Sequence, residues 1–315
     1  MNILITGGSG YVGSALIPKL LEKGYKVVNI DIGWFGNNLP KHKNLKNYKN
    51  DYCEIEKIKV GKIDAVIHLA SIANDPMALI DKNLSWETSA LKTKILLDFM
   101  VKKKIKRFIY ASSGSVYGIS KEKNVSEKNI LKPISLYNKV KMVTERVIIS
   151  YHDKIDYFII RPATICGLSK RMRLDLTVNA LTISALKNKQ INVFGGKQVR
   201  PNIHIDDMCD VYIFFTKCKK KFKGVYNAGF ENKSIIEIAK IVQKKIPSKL
   251  KIIKDKTDPR SYRLNSQKLI NIGFNPKKNI GFAIEELKQD FLKSNFKFKE
   301  SFYSLKWLKK KLKTL

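Results

Sequence analysis

Apolar, β-rich runs alternate with helical stretches through the first half of the chain. Strands are predicted over 2–6, 26–30, 64–69, 107–112 and 155–160, and helices over 11–23, 52–59, 83–103 and 135–151. Ile, Val and Phe dominate the strand runs, so both faces of each strand are expected to be buried. Strand, helix and strand in succession read as right-handed crossovers that build a parallel sheet covered on both sides. After Arg161-Pro162 the pattern loosens. A helix is predicted over 174–188, a glycine turn at Phe194-Gly195-Gly196-Lys197 and a further strand at Gly224-Val225-Tyr226-Asn227. The rest reads as helices with short strands, without internal repeat or low-complexity linker. The expected fold class is α/β, a doubly wound parallel sheet with a smaller C-terminal lobe over its carboxyl edge, where open sheets of this kind bind ligands.

The 315 residues suffice for one large or two closely joined domains, and 44% of them are hydrophobic. No apolar run approaches the roughly 18 residues of a membrane span. Asn2-Ile3-Leu4-Ile5-Thr6 opens as a strand, with no basic and then apolar leader, so a cytoplasmic protein without a membrane span is expected. The formal charge of +34 raises the question of nucleic acid. Only eight of the basic residues are Arg, the fork that reads phosphate and base edges, and the lysines are spread along the whole chain. That pattern argues against a nucleic-acid partner and leaves the charge as an attractor for an anionic substrate. Lys306-Trp307-Leu308-Lys309-Lys310-Lys311-Leu312 reads as a basic terminal helix, solvated or touching an anionic surface. Four scattered cysteines and four dispersed histidines give no metal-ligand spacing, so no metal is expected.

Thr6-Gly7-Gly8-Ser9-Gly10-Tyr11-Val12-Gly13 follows a strand and opens a helix. Gly7, Gly10 and Gly13 let the backbone approach a pyrophosphate at the positive end of that helix, with Tyr11 and Val12 carried alongside. Asp31 ends the second strand, where a carboxylate takes the ribose hydroxyls of adenosine and repels a 2′-phosphate, which favours NAD over NADP. Asp51 and Tyr52 suit the adenine rim, and Leu69, Ala70 and Ser71 end the next strand beside the cofactor.

Tyr137 and Lys141 stand four residues apart, on one helix face. An ammonium beside a phenol, together with the positive nicotinamide of NAD, favours the phenolate and is expected to lower its pKa from about 10. That phenolate could take a proton from a sugar hydroxyl as hydride leaves the same carbon, with Ser113 hydrogen-bonding the oxygen. Ser113, Tyr137 and Lys141 are therefore the catalytic candidates, and Tyr137 and Lys141 also border the cofactor.

These motifs, with His68-Leu69-Ala70, Arg161-Pro162-Ala163-Thr164, Arg200-Pro201-Asn202-Ile203-His204-Ile205-Asp206-Asp207 and Tyr226-Asn227-Ala228-Gly229, resemble the extended short-chain dehydrogenases/reductases of the NAD-dependent nucleotide-sugar epimerase/dehydratase family. The resemblance implies a Rossmann domain over 1–165, with 199–231 returning to it, a nucleotide-sugar lobe over 166–315, and a homodimer. It also implies that Asn179 lies near the substrate diphosphate with Arg200 and Arg260 as cationic clamps. Arg171 and Arg173 stay open between that role and a solvated loop. Dehydratases of the family carry an Asp-Glu pair after the catalytic hydroxyl. Gly114 and Ser115 stand there, so a 4,6-dehydratase is not expected, and the acidic residue that decarboxylases use in this loop is missing too. A 4-epimerase and a C4 dehydrogenase or 4-keto reductase both remain. A non-catalytic NAD-binding or nucleic-acid-binding protein is the reading from another class, and such proteins commonly lose the Tyr or Lys kept here. Ser89 stands where the family often has Asn against the cofactor.

Overall fold

The computed structural model describes residues 1–120, 122, 124–253, 261–293 and 296–313. The strands are β1 Asn2–Thr6, β2 Lys26–Ile30, β3 Leu45–Tyr48, β4 Ala65–His68, β5 Arg107–Ala111, β6 Asp156–Pro162, β7 Thr164–Cys166, β8 Gln190–Phe194, β9 Val199–His204, β10 Gly224–Ala228, β11 Glu231–Ser234 and β12 Lys249–Ile253. The helices are α1 Gly13–Glu22, α2 Asp75–Ala78, α3 Lys82–Trp86, α4 Lys92–Lys102, α5 Leu136–Ile149, α6 Thr177–Asn188, α7 Ile205–Lys217, α8 Ile235–Lys245, α9 Gln267–Asn271, α10 Ile280–Leu292 and α11 Ser304–Leu312.

Seven strands form one sheet in the order β10-β6-β5-β4-β1-β2-β3, and every neighbouring pair is parallel. The chain therefore winds one way from β1 to β3 and the other way from β4 onward. This leaves a crevice at the carboxyl ends of β1 and β4, the switch point where such sheets take ligands. Successive residues of β1 bury in opposite directions: Ile3 and Ile5 pack with Leu16 and Ile17 of α1, whereas Leu4 packs with Leu96 and Met100 of α4. Both faces are thus covered, as the continuous apolar strands require. The second half supplies a three-stranded sheet, β11-β9-β7, and a parallel pair, β12-β8, while β10 lies at the edge of the large sheet beside β6.

Three elements differ from the sequence expectation. The stretch 83–103 is not one helix: a π-helical turn over Glu87–Leu91 separates α3 from α4. It carries Ser89, whose carbonyl accepts from the Thr93 and Thr144 hydroxyls at 2.8 and 2.9 Å. The helix expected over 52–59 is a 3₁₀ segment, Tyr52–Lys57, started by the Asp51 carboxylate accepting from Cys53 N–H. The basic C-terminal helix α11 is docked, not solvated. Leu305, Leu308 and Leu312 pack against Trp34, Ile72 and Met77, and Trp307 Nε1 donates to the Trp34 carbonyl at 2.7 Å.

Candidate active site

Two glycines show why the loop after β1 needs its sequence. Gly7 has φ +74°, and a Cβ there would lie 2.6 Å from the Ala70 backbone nitrogen. A Cβ on Gly13 would lie 2.4 Å from the Gly8 Cα, so α1 could not start this close to the turn. The loop is pinned from β2: Asn29 Oδ1 accepts from Gly8 N–H and Asp31 Oδ2 from Ser9 N–H, both at 2.9 Å. Asp31 Oδ1 accepts from Gly33 N–H at 2.7 Å. Burial raises the Asp31 carboxyl pKa, against the pull of those two amides. Asp31 also lines the crevice.

A cavity of about 500 Å³ fills this crevice. Gly7, Gly10, Tyr11, Val12, Gly13, Asp31, Asp51, Tyr52, Leu69, Ala70 and Ser71 line it at one end, and Ser113, Tyr137, Lys141 and Arg200 at the other. Its size suits a largely enclosed small-molecule ligand. Asp51 is drawn to Lys92, whose Nζ stands 2.7 Å from Oδ2; despite burial, this contact and Cys53 N–H hold the carboxyl below its usual range. The Tyr52 hydroxyl donates to the Thr88 carbonyl, and the residue lines the cavity. Ser71 and Ser89 hydroxyls lie 3.0 Å apart, which places Ser89 behind the cofactor wall.

α5 starts at Ser135, whose hydroxyl caps Asn138 N–H, and this sets Tyr137 and Lys141 on the turns above the end of β5. Ser113 stands near the Tyr137 phenol and acts to lower its pKa. Its hydroxyl lies 2.7 Å from that of Ser115, which donates to Asn138 Oδ1 at 2.5 Å. Lys141 Nζ donates to the Ala111 carbonyl at 2.7 Å and sits 5.9 Å from the Tyr137 ring centre.

Tyr137 is expected to be acidified by Lys141 together with the nicotinamide; in the protein by itself the phenol is not acidified. Burial pushes the phenol up to about 12, only partly opposed by Ser113 and by the charge of Arg173. Burial also pushes the Lys141 ammonium down to about 7, opposed by Glu145. Desolvation outweighs one cation across this distance. The depressed lysine has a testable cost. Between pH 7 and the unfolded value near 10.4 the unfolded chain binds the extra proton, so this group makes stability rise with pH through that window. Lys141→Met should therefore stabilise the cofactor-free protein most at pH 7 and below. Its advantage should shrink by up to about 1.4 kcal/mol per pH unit toward pH 10. Urea unfolding at several pH values measures that gap, and a gap independent of pH would contradict the depressed lysine.

The substrate-side residues are placed less uniformly. Arg200 is on the cavity wall and donates to the Val199 carbonyl. Asn179 does not reach the wall. Oδ1 accepts from Gly167 N–H at 2.9 Å, and Nδ2 donates to the Tyr11 hydroxyl and the Arg173 carbonyl at 3.1 and 3.0 Å. Its amide is fully used in fixing that turn. Arg260 lies outside the described residues. Arg173 is not a solvated loop residue: it forks onto Asp175 at 2.7 and 3.1 Å, and Asn74 donates to the same carboxylate. Sequence reasoning passed over Asn74, Asp75 and Asp175, which line the cavity near Tyr137. The signal was present in Asn74-Asp75-Pro76, an N-cap and helix start placed just beyond a strand's carboxyl end.

Residues 3–229 match the family described as NAD dependent epimerase/dehydratase. The chain belongs to that family. NAD is the family's cofactor, and the glycine cradle and the Asp31 carboxylate fit it. The epimerase/dehydratase relatives span two reactions. A putative UDP-glucose 4-epimerase of Methanocaldococcus jannaschii is 28% identical over 306 residues, 93% of this chain and 99% of that one. A dTDP-D-glucose 4,6-dehydratase of Dictyostelium discoideum is 30% identical over 268 residues, 76% of this chain and 61% of that one. Among solved structures, the UDP-glucuronic acid 4-epimerase of Bacillus cereus, in complex with UDP-glucuronic acid and NAD, is 27% identical with a TM-score of 0.79. The match covers 92% of this chain and 99% of that one. Among the described residues no helix is long and apolar enough to cross a membrane, and no group of three or more His, Cys, Asp or Glu could hold a metal.

Proposed function

We propose that this chain is a nucleotide-sugar 4-epimerase that uses NAD, oxidising one sugar carbon, C4, and returning the hydride to its opposite face. The observation that carries this reading is the convergence of Ser113, Tyr137 and Lys141 on the cavity that the glycine loop and Asp31 enter from the other end. In this reading residues 1–165, with 199–231, hold the dinucleotide, and 166–315 supply the nucleotide-sugar side. Gly7, Gly10, Gly13 and Asp31 would hold NAD, which supplies the hydride acceptor and donor. Tyr137 takes the proton of the sugar hydroxyl and later gives it back. Ser113 holds that oxygen in line, and Lys141 places positive charge on the same side.

Against dehydration, neither Gly114 nor Ser115 is an acid. The space at 114 is also closed: a Cβ would stand 2.8 Å from Leu264 Cδ1 and 3.1 Å from the Pro162 carbonyl oxygen. The purified protein, offered UDP-, dTDP- and GDP-sugars, should yield the C4 epimer with no net accumulation of reduced nicotinamide. Stoichiometric reduced nicotinamide would instead make it a C4 dehydrogenase or 4-keto reductase, and an unsaturated or 6-deoxy-4-keto product would overturn the argument from positions 114 and 115.

Asp31→Ala should weaken NAD by tenfold or more and narrow the preference over NADP, since the carboxylate both meets the ribose and holds the Ser9 turn. Calorimetric titration with both cofactors measures it. Tighter NADP than NAD binding in the unaltered protein would remove the basis for this assignment.

A further inference from the structure

Arg171 is the cation in the cavity whose position is least explained by the protein alone. Its side chain is 2% exposed, yet no carboxylate lies within ion-pair distance of it among the described residues. Its hydrogen bonding is sparse. Nη2 donates to Ser304 Oγ at 2.8 Å, and Nε has no partner. The guanidinium lies over Phe35, 3.9 Å from the ring centre. A buried charge held this way costs free energy unless an anion completes it. Burial accordingly pulls the Arg171 pKa down to about 9.

Its surroundings say which anion. Arg171 N–H donates to Ser14 Oγ at 3.2 Å, and Ser169 Oγ donates to the Tyr11 carbonyl at 2.8 Å, so residues 169–171 are tied to the glycine turn and first turn of α1. Phe35 lies four residues beyond Asp31, on the adenosine side. Ser304 begins α11, whose first turn has no side-chain cap, and it lines the same cavity. Two helix N-termini and a guanidinium therefore converge on one end of the cavity, where the carboxylates that act on the guanidinium, Asp175 and Asp31, stand beyond ion-pair distance.

We propose that Arg171, presented by Ser304 and Phe35, closes on the diphosphate of bound NAD, so that docking of the C-terminal helix retains the cofactor. This rests on NAD binding as read above, and it adds a contact from outside the 1–165 segment. The substrate diphosphate is the competing source of the same chemistry. The position against α1 and Phe35 favours the cofactor.

The test uses the full chain stripped of cofactor and titrated with NAD, ADP, adenosine and UDP. Arg171→Met should weaken NAD and ADP about tenfold to a hundredfold and leave adenosine and UDP unchanged. Ser304→Ala should weaken NAD in the same direction by less. The variant's melting temperature without ligand should hold or rise, because an uncompensated buried charge has gone, while the increment added by NAD shrinks. Unchanged NAD affinity in Arg171→Met would overturn the proposal, as would a loss confined to UDP, which would reassign the residue to the substrate. A lower melting temperature with an unchanged NAD increment would make Arg171 merely structural and also overturn it. Failure of the unaltered protein to bind NAD at all would sink the underlying assignment, a different result from any of these.

Discussion

Tyr137→Phe should lower kcat by about a thousandfold, roughly 4 kcal/mol of transition-state stabilisation, while NAD binding stays within about twofold. The change removes one oxygen. The ring keeps its packing against the cluster of Ile72, Met77 and Leu308, so the cavity wall should hold its shape. What goes is the phenol oxygen that Ser113 and Lys141 flank in the cavity. Tyr52 and Tyr11 cannot replace it. The Tyr52 hydroxyl is spent on the Thr88 carbonyl, and that of Tyr11 donates to the Gly167 carbonyl at 2.7 Å. The glycine loop lies at the other end of the cavity and is untouched. Turnover of a nucleotide sugar, with bound NAD measured by mass spectrometry of the intact protein, separates the two effects. A variant that loses its cofactor along with turnover would show that the phenol builds the binding site and does not act on the sugar.

The corrected electrostatics sharpen this expectation. Inside the protein alone the phenol is held protonated, because burial outweighs Ser113 and the nearby charge. The same burial leaves Lys141 half neutral near pH 7. Ionising Tyr137 therefore needs more positive charge than Lys141 provides, so cofactor charge and phenol acidity should be coupled: the oxidised, cationic nicotinamide favours the phenolate. The unassisted phenol should remain protonated through neutral pH.

How much of this was legible depends on which physical signal each residue carries. β1, β2, β4, β5 and β6 were readable within two residues because strands buried on both faces must be continuously apolar. β3 was not. Leu45-Lys46-Asn47-Tyr48 is an edge strand with Lys46 and Asn47 exposed, and its polarity reads as loop. The π turn at Glu87–Leu91 was hidden because its residues are ordinary helix formers; it exists through the contacts of the Ser89 carbonyl to α4 and α5, which no local pattern records. In the site, glycines and Asp31 declared themselves by spacing. Asn179 and Arg171 did not. One is spent within its own turn, and the other is met by Ser304 from the basic-looking end of the chain. Tertiary contact decided both.

Glu145→Ala should cost about 3–5 kcal/mol, a large fraction of the stability of an ordinary domain. Glu145 on α5 is 1% exposed and Arg161 on β6 5% exposed. The two pair through Nε–Oε1 at 3.0 Å and Nη2–Oε2 at 2.6 Å, and Ser112 Oγ donates to the same carboxylate at 2.5 Å. Arg161 Nη1 donates to the Tyr117 hydroxyl, which donates to Asn227 Oδ1 on β10. Asn227 Nδ2 then donates to the carbonyls of Val125 and Asn265. This buried chain ties the catalytic helix, the serine loop and the sheet edge together. Removing the carboxylate leaves a guanidinium in the core with nothing to balance it. Arg161→Met strands the carboxylate instead and should cost a similar amount. The double variant Glu145→Leu with Arg161→Met should recover most of the loss, because a buried pair is about neutral against well-packed apolar residues. Urea unfolding of the unaltered protein, Glu145→Leu, Arg161→Met and the double variant closes the cycle. Single losses under 1 kcal/mol, or a double variant as unstable as the sum of both, would show that the pair is not the keystone proposed. Recovery should be incomplete for turnover, since Ser112 still lacks its acceptor and Ser113 follows it in the chain. A double variant that folds well and works slowly would locate the network's value in aiming the serine loop at Tyr137.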